Sequence, residues 1–291
     1  MSAVRRLAGP LSISVGFAIA LPATSHGDDA TTAKSDDSKD VKKEPPKPVE
    51  AAVGPAPTQT SNVEAALGDA TPSTTTKLTI TNDAGKTVTC REQGTQSFLV
   101  RGNWFPHTND AEKLKSARKL LDDAIKYRTE KYGYFEGFGR PAWNAHPPKF
   151  YAKTTSFLGL SVQVNEKIIP ALKCVEAALK ANGAEKQYKP RAMGGIRFHN
   201  TYKGVEVSNH IYGIAVDIEP DKNTCCGCVA PWNEHPLCKD KSKTVWQRMV
   251  MPKSWVDTFE KFGFYWLGHD VLQDTMHFEF LGDPEKVVDA P

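Results

Sequence analysis

Ser208-Asn-His210-Ile-Tyr-Gly-Ile-Ala-Val-Asp217-Ile218 decides how this chain is read, and Asp274-Thr-Met-His277-Phe-Glu279 answers it further along. From Tyr212 to Glu219 the residues alternate, with Ile214, Val216 and Ile218 facing one way and Gly213, Ala215 and Asp217 the other. That is the pattern of a strand with one buried face. The spacing of seven from His210 to Asp217 is odd, so one straight strand would send the two side chains to opposite faces. His210 is therefore expected in the preceding loop, bent back toward Asp217. In the second stretch Met276, Phe278 and Phe280 alternate with His277 and Glu279. Asp274 has the wrong parity for that polar face and is expected on the entering loop.

Two imidazoles and a carboxylate make three ligands, the number a catalytic zinc uses when its fourth position is open, whereas a structural zinc normally has four. Gly and Ala on the Asp217 face leave room for a metal and a substrate backbone. Glu279 is expected to hold an imidazole through its second nitrogen, a usual arrangement around a ligating His. Ser208 is open among orienting His210, touching substrate and serving as a plain turn hydroxyl.

The motif Ser-x-His-x-x-Gly-x-Ala-x-Asp followed by Asp-x-x-His-Phe-Glu resembles the zinc D-alanyl-D-alanine carboxypeptidase family. Its relatives include the vancomycin-resistance D,D-dipeptidases and the phage L-alanyl-D-glutamate endolysins. The resemblance covers about residues 155 to 282. It implies that His210, Asp217 and His277 bind one catalytic zinc ion, that Asp274 is the general base, and that the substrate is a peptidoglycan stem peptide. Arg197, thirteen residues before His210, resembles the family's oxyanion-stabilising or substrate-binding Arg; a surface Arg in a salt bridge is the other reading. Carboxypeptidase and endopeptidase activity both stay open. Asp in place of Glu at 274 resembles the endolysin-like branch and leans toward endopeptidase. Leu267, His269 and Asp270 depart from the Trp-Gly-Gly common in the family, which puts the rim of the pocket in question but not the ligands. Two alternatives remain, a non-catalytic zinc-stabilised cell-wall-binding module and a non-peptidase zinc hydrolase. Asp274 tells against the first, because a binding module has no need of a base.

Residues 1–25 carry Arg5 and Arg6, an apolar run from Leu7 to Ala20, and small residues at 23 and 25, and read as a secretory signal peptide. The run is too short and interrupted for a membrane span, though a retained anchor is the alternative. Losing the two arginines takes the formal charge from +3 to +1, which gives no footing for a nucleic-acid partner. An exported, periplasmic or extracellular monomer with no stable membrane span is expected. Residues 26–76 are Ser, Thr, Ala, Pro, Asp and Lys with almost no large apolar side chains, and read as a disordered linker.

Residues 77–150 are expected to form an extension. Its parts are a hairpin (Leu78 to Ile80, a turn at Asn82 to Gly85, Thr87 to Cys90), a possible third strand at Ser97 to Val100, and a helix from about Ala111 to Tyr132. That helix would be capped by Asp110, stopped by Gly133, and carry an apolar stripe of Leu114, Ala117, Leu121, Ala124 and Ile125. The aromatic stretch 132–150 reads as a loop packed on the core, with a cleft wall as the alternative. Residues 151–291 make the zinc peptidase domain: a strand from Leu160 to Val164, a helix from Asn165 to Ala181 with Pro170 tolerable only in its first turn, a strand from Gly194 to Phe198, and a helix from Lys253 to Phe262. The fold class is α+β, a small antiparallel sheet carrying the ligands with packed helices. Six cysteines permit three disulfides, which the exported context favours over a second zinc at Cys225, Cys226, Cys228 and Cys238. If that loop closes on itself, Cys90 and Cys174 pair by elimination. By position the loop could roof the site.

Overall fold

The computed structural model describes residues 77–201 and 206–289; the segments read as signal peptide and linker lie outside them. The hairpin forms as β1 (Thr79–Thr81) and β2 (Thr87–Thr89), with Thr79 opposite Thr89. Its turn is held by Asn82, whose Oδ1 accepts from the backbone N–H groups of Ala84 and Lys86. Ser97–Leu99 is a 3-10 turn and not a strand. Phe98 and Leu99 both pack toward helix α1 (Ala111–Tyr132), a placement that the side-to-side alternation of a strand would not allow.

Helix α1 is capped as its sequence predicts, with Asp110 Oδ1 accepting from Glu112 N at 2.9 Å and Lys113 N at 3.1 Å. Gly133 ends it at φ +113°, where an added Cβ would lie 2.8 Å from Pro148 N. The buried face differs from the expected stripe. Leu114 is exposed, and the face runs through Ala117, Ala124, Arg128, Thr129 and Tyr132. In the loop that follows, Phe135 and Phe138 pack against the main core.

Strands β3 (Ala152–Phe157) and β4 (Leu160–Asn165) form a second hairpin. A 3-10 turn then leads into α2 (Ile169–Ala181), so Pro170 does fall in the first turn. The strand expected at Gly194 to Phe198 is cut to β5 (Met193–Gly194). Beyond Gly194 the backbone turns to β4 instead, with Ile196 N donating to Gln163 O at 2.8 Å. Strand β6 (Ala215–Ile218), the short α3 (Pro236–Lys239), α4 (Lys253–Lys261), β7 (Phe264–Trp266) and β8 (His277–Phe280) complete the chain.

The central sheet has the order β5-β6-β8-β7 and is antiparallel throughout. One face packs Val216, Phe278 and Phe280 into the core with Phe259 and Phe264, the rings of Phe259 and Phe278 stacked at 4.3 Å. The other carries the polar residues. Small antiparallel sheets with packed helices make the fold α+β.

All six cysteines are paired, as Cys90–Cys174, Cys225–Cys228 and Cys226–Cys238. The first ties the hairpin to α2. The other two close the 225–238 loop on itself, which leaves no free thiolate there for a second zinc. No helix of the described residues is long and apolar enough to cross a membrane.

Candidate metal centre

The register of the sheet sets Asp217 on β6 directly opposite His277 on β8, and Ala215 opposite Glu279. These four residues share one face, as the period of two requires. His210 comes from the turn before β6, where Ile211 N donates to Ser208 O and Gly213 N to His210 O. Gly213 has φ +67°, and a Cβ there would sit 2.7 Å from Asn165 N. The glycine is thus needed for the tight return of the chain against β4, and not to leave room beside a metal. The turn bends His210 back, and its Nε2 reaches Asp217 Oδ2 at 3.2 Å.

His277 Nδ1 lies 2.8 Å from Asp217 Oδ1 and 3.1 Å from His210 Nε2. One ligand atom from each of the three residues falls within 4.8 Å of the others. The remaining nitrogens are tied outward, His210 Nδ1 to Gly195 O at 2.6 Å and His277 Nε2 to Glu279 Oε1 at 3.1 Å. Each imidazole therefore turns one nitrogen to Asp217 and has the other held from behind, the arrangement around ligating histidines. Glu279 lies on the side of His277 away from Asp217.

Electrostatics point the same way. Burial works to raise the Asp217 pKa, but the charge of His210 and hydrogen bonds from both imidazoles outweigh it and hold the carboxyl well below the usual range. Burial works to lower that of His277, yet hydrogen bonds to Asp217 and Glu279 lift it well above an ordinary imidazole. At His210 burial prevails and lowers the pKa. The carboxyl pulled down beside the imidazole pulled up is an ion pair of Asp217 with His277. The three nitrogen and oxygen donors of the cluster suit zinc in the open, three-ligand form.

Asp274 sits on the loop entering β8, after Gln273 at φ +47°. Its Oδ1 is buried with no partner, and burial pushes its carboxyl up to about 7. The cysteine loop packs on this segment, with Cys225 bridged to Asp274 and Gly227 N donating to Leu272 O at 2.7 Å. That loop buttresses the strand of chain that carries Asp274. The Arg197 guanidinium is ion-paired with Asp217 Oδ2, and its backbone N donates to His210 O at 2.9 Å. Its side chain is 42% exposed, so one side remains open to solvent. Ser208 is buried, and its Oγ accepts from His210 N at 3.4 Å, the geometry of a turn hydroxyl. His269 lies away from the cluster, paired with Glu260 at 2.8 Å.

Sequence reasoning missed the carbonyl of Gly195, since a main-chain acceptor has no side-chain signature. Arg128, buried on α1, also reaches the turn before His210, with Nη1 donating to Val207 O at 3.3 Å and to Asn209 Oδ1 at 3.1 Å.

No curated protein and no solved structure compared with the chain matches it. Residues 202–280, which hold His210, Asp217, Asp274, His277 and Glu279, match the family model described as D-alanyl-D-alanine carboxypeptidase, and this supports a peptidase of that kind.

Proposed function

We propose that the protein is an exported zinc metallopeptidase that cuts peptidoglycan stem peptides. The observation that carries this is the convergence of His210, Asp217 and His277, both imidazoles being held from behind by Gly195 and Glu279. These three side chains would hold the ion. Zinc held there would supply Lewis acidity, polarising a carbonyl and making water acidic enough to attack near neutral pH.

Asp274 takes a proton from the water as it adds to the peptide carbonyl carbon and passes it to the amine nitrogen, and the C–N bond breaks as the oxyanion collapses to the carboxylate. Burial lifts this carboxyl to about 7 in the metal-free chain. The exposed side of Arg197 meets the developing oxyanion or a terminal substrate carboxylate. Glu279 keeps His277 in orientation. Three disulfides accord with an oxidising compartment outside the cytosol. The description of the matching family favours a carboxypeptidase, while Asp at 274 resembles the endolysin-like branch. The binding-module alternative leaves the buried, unpartnered Oδ1 of Asp274 without a purpose.

The test is Asp274→Asn, which keeps shape and removes the base. Zinc content and folding should survive while cleavage of cell-wall peptides falls by about a hundredfold or more. Mass spectrometry of digested muropeptides separates the two cuts. Free D-alanine from pentapeptide means a carboxypeptidase, and there Arg197→Ala should weaken binding of substrates with a free terminal carboxylate. Cleavage within the stem or at a cross-link means an endopeptidase. A wild-type chain that cleaves neither pentapeptide nor sacculi when zinc-loaded would sink the proposal.

A further inference from the structure

Gln273, the residue before Asp274, has φ +47°, a left-handed backbone that a residue with a Cβ keeps only where its surroundings impose it. Two bonds hold it there. Arg248 Nη1 donates to Gln273 Oε1 at 2.6 Å, and Gln273 N donates to Asp270 O at 2.9 Å. Arg248 ends the 3-10 turn Val245–Arg248 and is buried. Its Nη2 donates to Asp240 O and Lys241 O, both at 3.4 Å, so the guanidinium is fixed from behind as well.

Thr275, the residue after Asp274, is tied to the same arginine by another route. Its N and Oγ1 both donate to Thr224 O, at 2.7 Å and 3.0 Å. Thr224 Oγ1 donates in turn to Arg248 O at 2.9 Å. Both threonines are buried, which keeps water from competing for these bonds. Asp274 itself is held less closely. Its N donates to Leu267 O at 3.2 Å, but its Oδ1 is buried and finds no partner among the described residues. With no bond to that oxygen to aim it, the carboxyl depends for its direction on the backbone of residues 273 to 275, which Arg248 grips on both sides. The four partners of Arg248, namely Gln273, Asp240, Lys241 and Thr224, all lie outside the cluster of His210, Asp217 and His277.

We propose that Arg248 is a positioning residue for the general base, holding Gln273 directly and Thr275 through Thr224 so that Asp274 presents its carboxylate to the attacking water. This rests on reading Asp274 as that base. A proton acceptor works only within hydrogen-bond reach of the proton it takes. The signature differs from that of a packing residue, whose loss lowers the melting temperature and leaves the turnover of the folded enzyme alone.

The experiment uses the full, zinc-loaded chain with Arg248→Met, Gln273→Ala, Asp274→Asn, and each of the first two combined with Asp274→Asn. Turnover of a stem pentapeptide and of purified sacculi is followed by mass spectrometry, to reach the residual rate, with chelator competition for zinc and a thermal melt alongside. Arg248→Met should lower kcat by roughly ten- to a hundredfold, as misplacement of a catalytic group by about an ångström does. KM and the zinc dissociation constant should stay those of wild type. In the Asp274→Asn background the same substitution should cost nothing more, because the group it positions is already gone. A folded Arg248→Met chain with wild-type kcat, or one whose loss multiplies in full with that of Asp274→Asn, would overturn the proposal. If Arg248→Met does not fold, Gln273→Ala decides by the same two comparisons, since it cuts the bond beside Asp274 and leaves Arg248 its bonds to Asp240, Lys241 and Thr224. An Asp274→Asn chain that cleaves like wild type defeats the parent reading instead, a result distinct from normal turnover in Arg248→Met beside an impaired Asp274→Asn.

Discussion

Asp274 shows most directly how a single side chain is tuned. Its ordinary carboxyl value is 3.8, and burial lifts it to about 7, with Oδ1 lacking any partner. The folded value lies above the unfolded one, so between about pH 4 and pH 7 the native metal-free chain holds a proton that the unfolded chain has released. This contribution is fully present below the unfolded pKa and is lost as pH rises through 7. Metal-free Asp274→Asn should therefore melt above wild type at pH 8 and converge with it near pH 4. Thermal melts at the two pH values check this, and equal melting at pH 8 would remove burial as the cause. Glu279→Ala should weaken zinc binding by about ten- to a hundredfold, read by chelator competition, while the chain stays folded. The residues of this cluster were legible in the sequence because ligand type, order and strand parity all agreed. The contacts of Arg128 to Val207 and Asn209 were not, because they exist only once a helix from elsewhere is laid on the turn.

At the scale of elements, the hairpin β1–β2 is pinned by Cys90–Cys174, which closes a separation of 84 residues. In the chain-entropy view a loop of that length is worth about 4.5 kcal/mol. Replacing both cysteines by alanine should cost about 2–4 kcal/mol in a denaturant titration. A loss within error of zero would mean that the hairpin is held by packing alone. Helix α1 was legible from Asp110 to Gly133 because its cap and stop are local chemistry. Strand β3 was not, since Ala-Lys-Thr-Thr-Ser-Phe has no apolar alternation and forms through its register with β4. Ser97–Leu99 looked like a strand for the opposite reason, having apolar residues that a 3-10 turn aims at α1. The same logic shortens β5, whose continuation is claimed by β4.

For the whole molecule, Tyr132 at the end of α1 and Phe280 on β8 belong to one buried cluster, and Leu78, Ile80 and Cys90 of the first hairpin pack against it. Residues 77–150 should accordingly not be separable from the metal centre. A chain lacking them is expected to lose cooperative unfolding and zinc binding together, which calorimetry and chelator competition would register. The cysteine count made three disulfides legible in the sequence. Which side of the core the extension would cover was not, because that depends on Trp104 and Tyr212 enclosing Arg128 from two distant parts of the chain. The reading of the whole rests on metal content. Elemental analysis of freshly purified chain should find one zinc per molecule, lost with His210→Ala or His277→Ala; no metal in fresh protein and no uptake on adding zinc would contradict it.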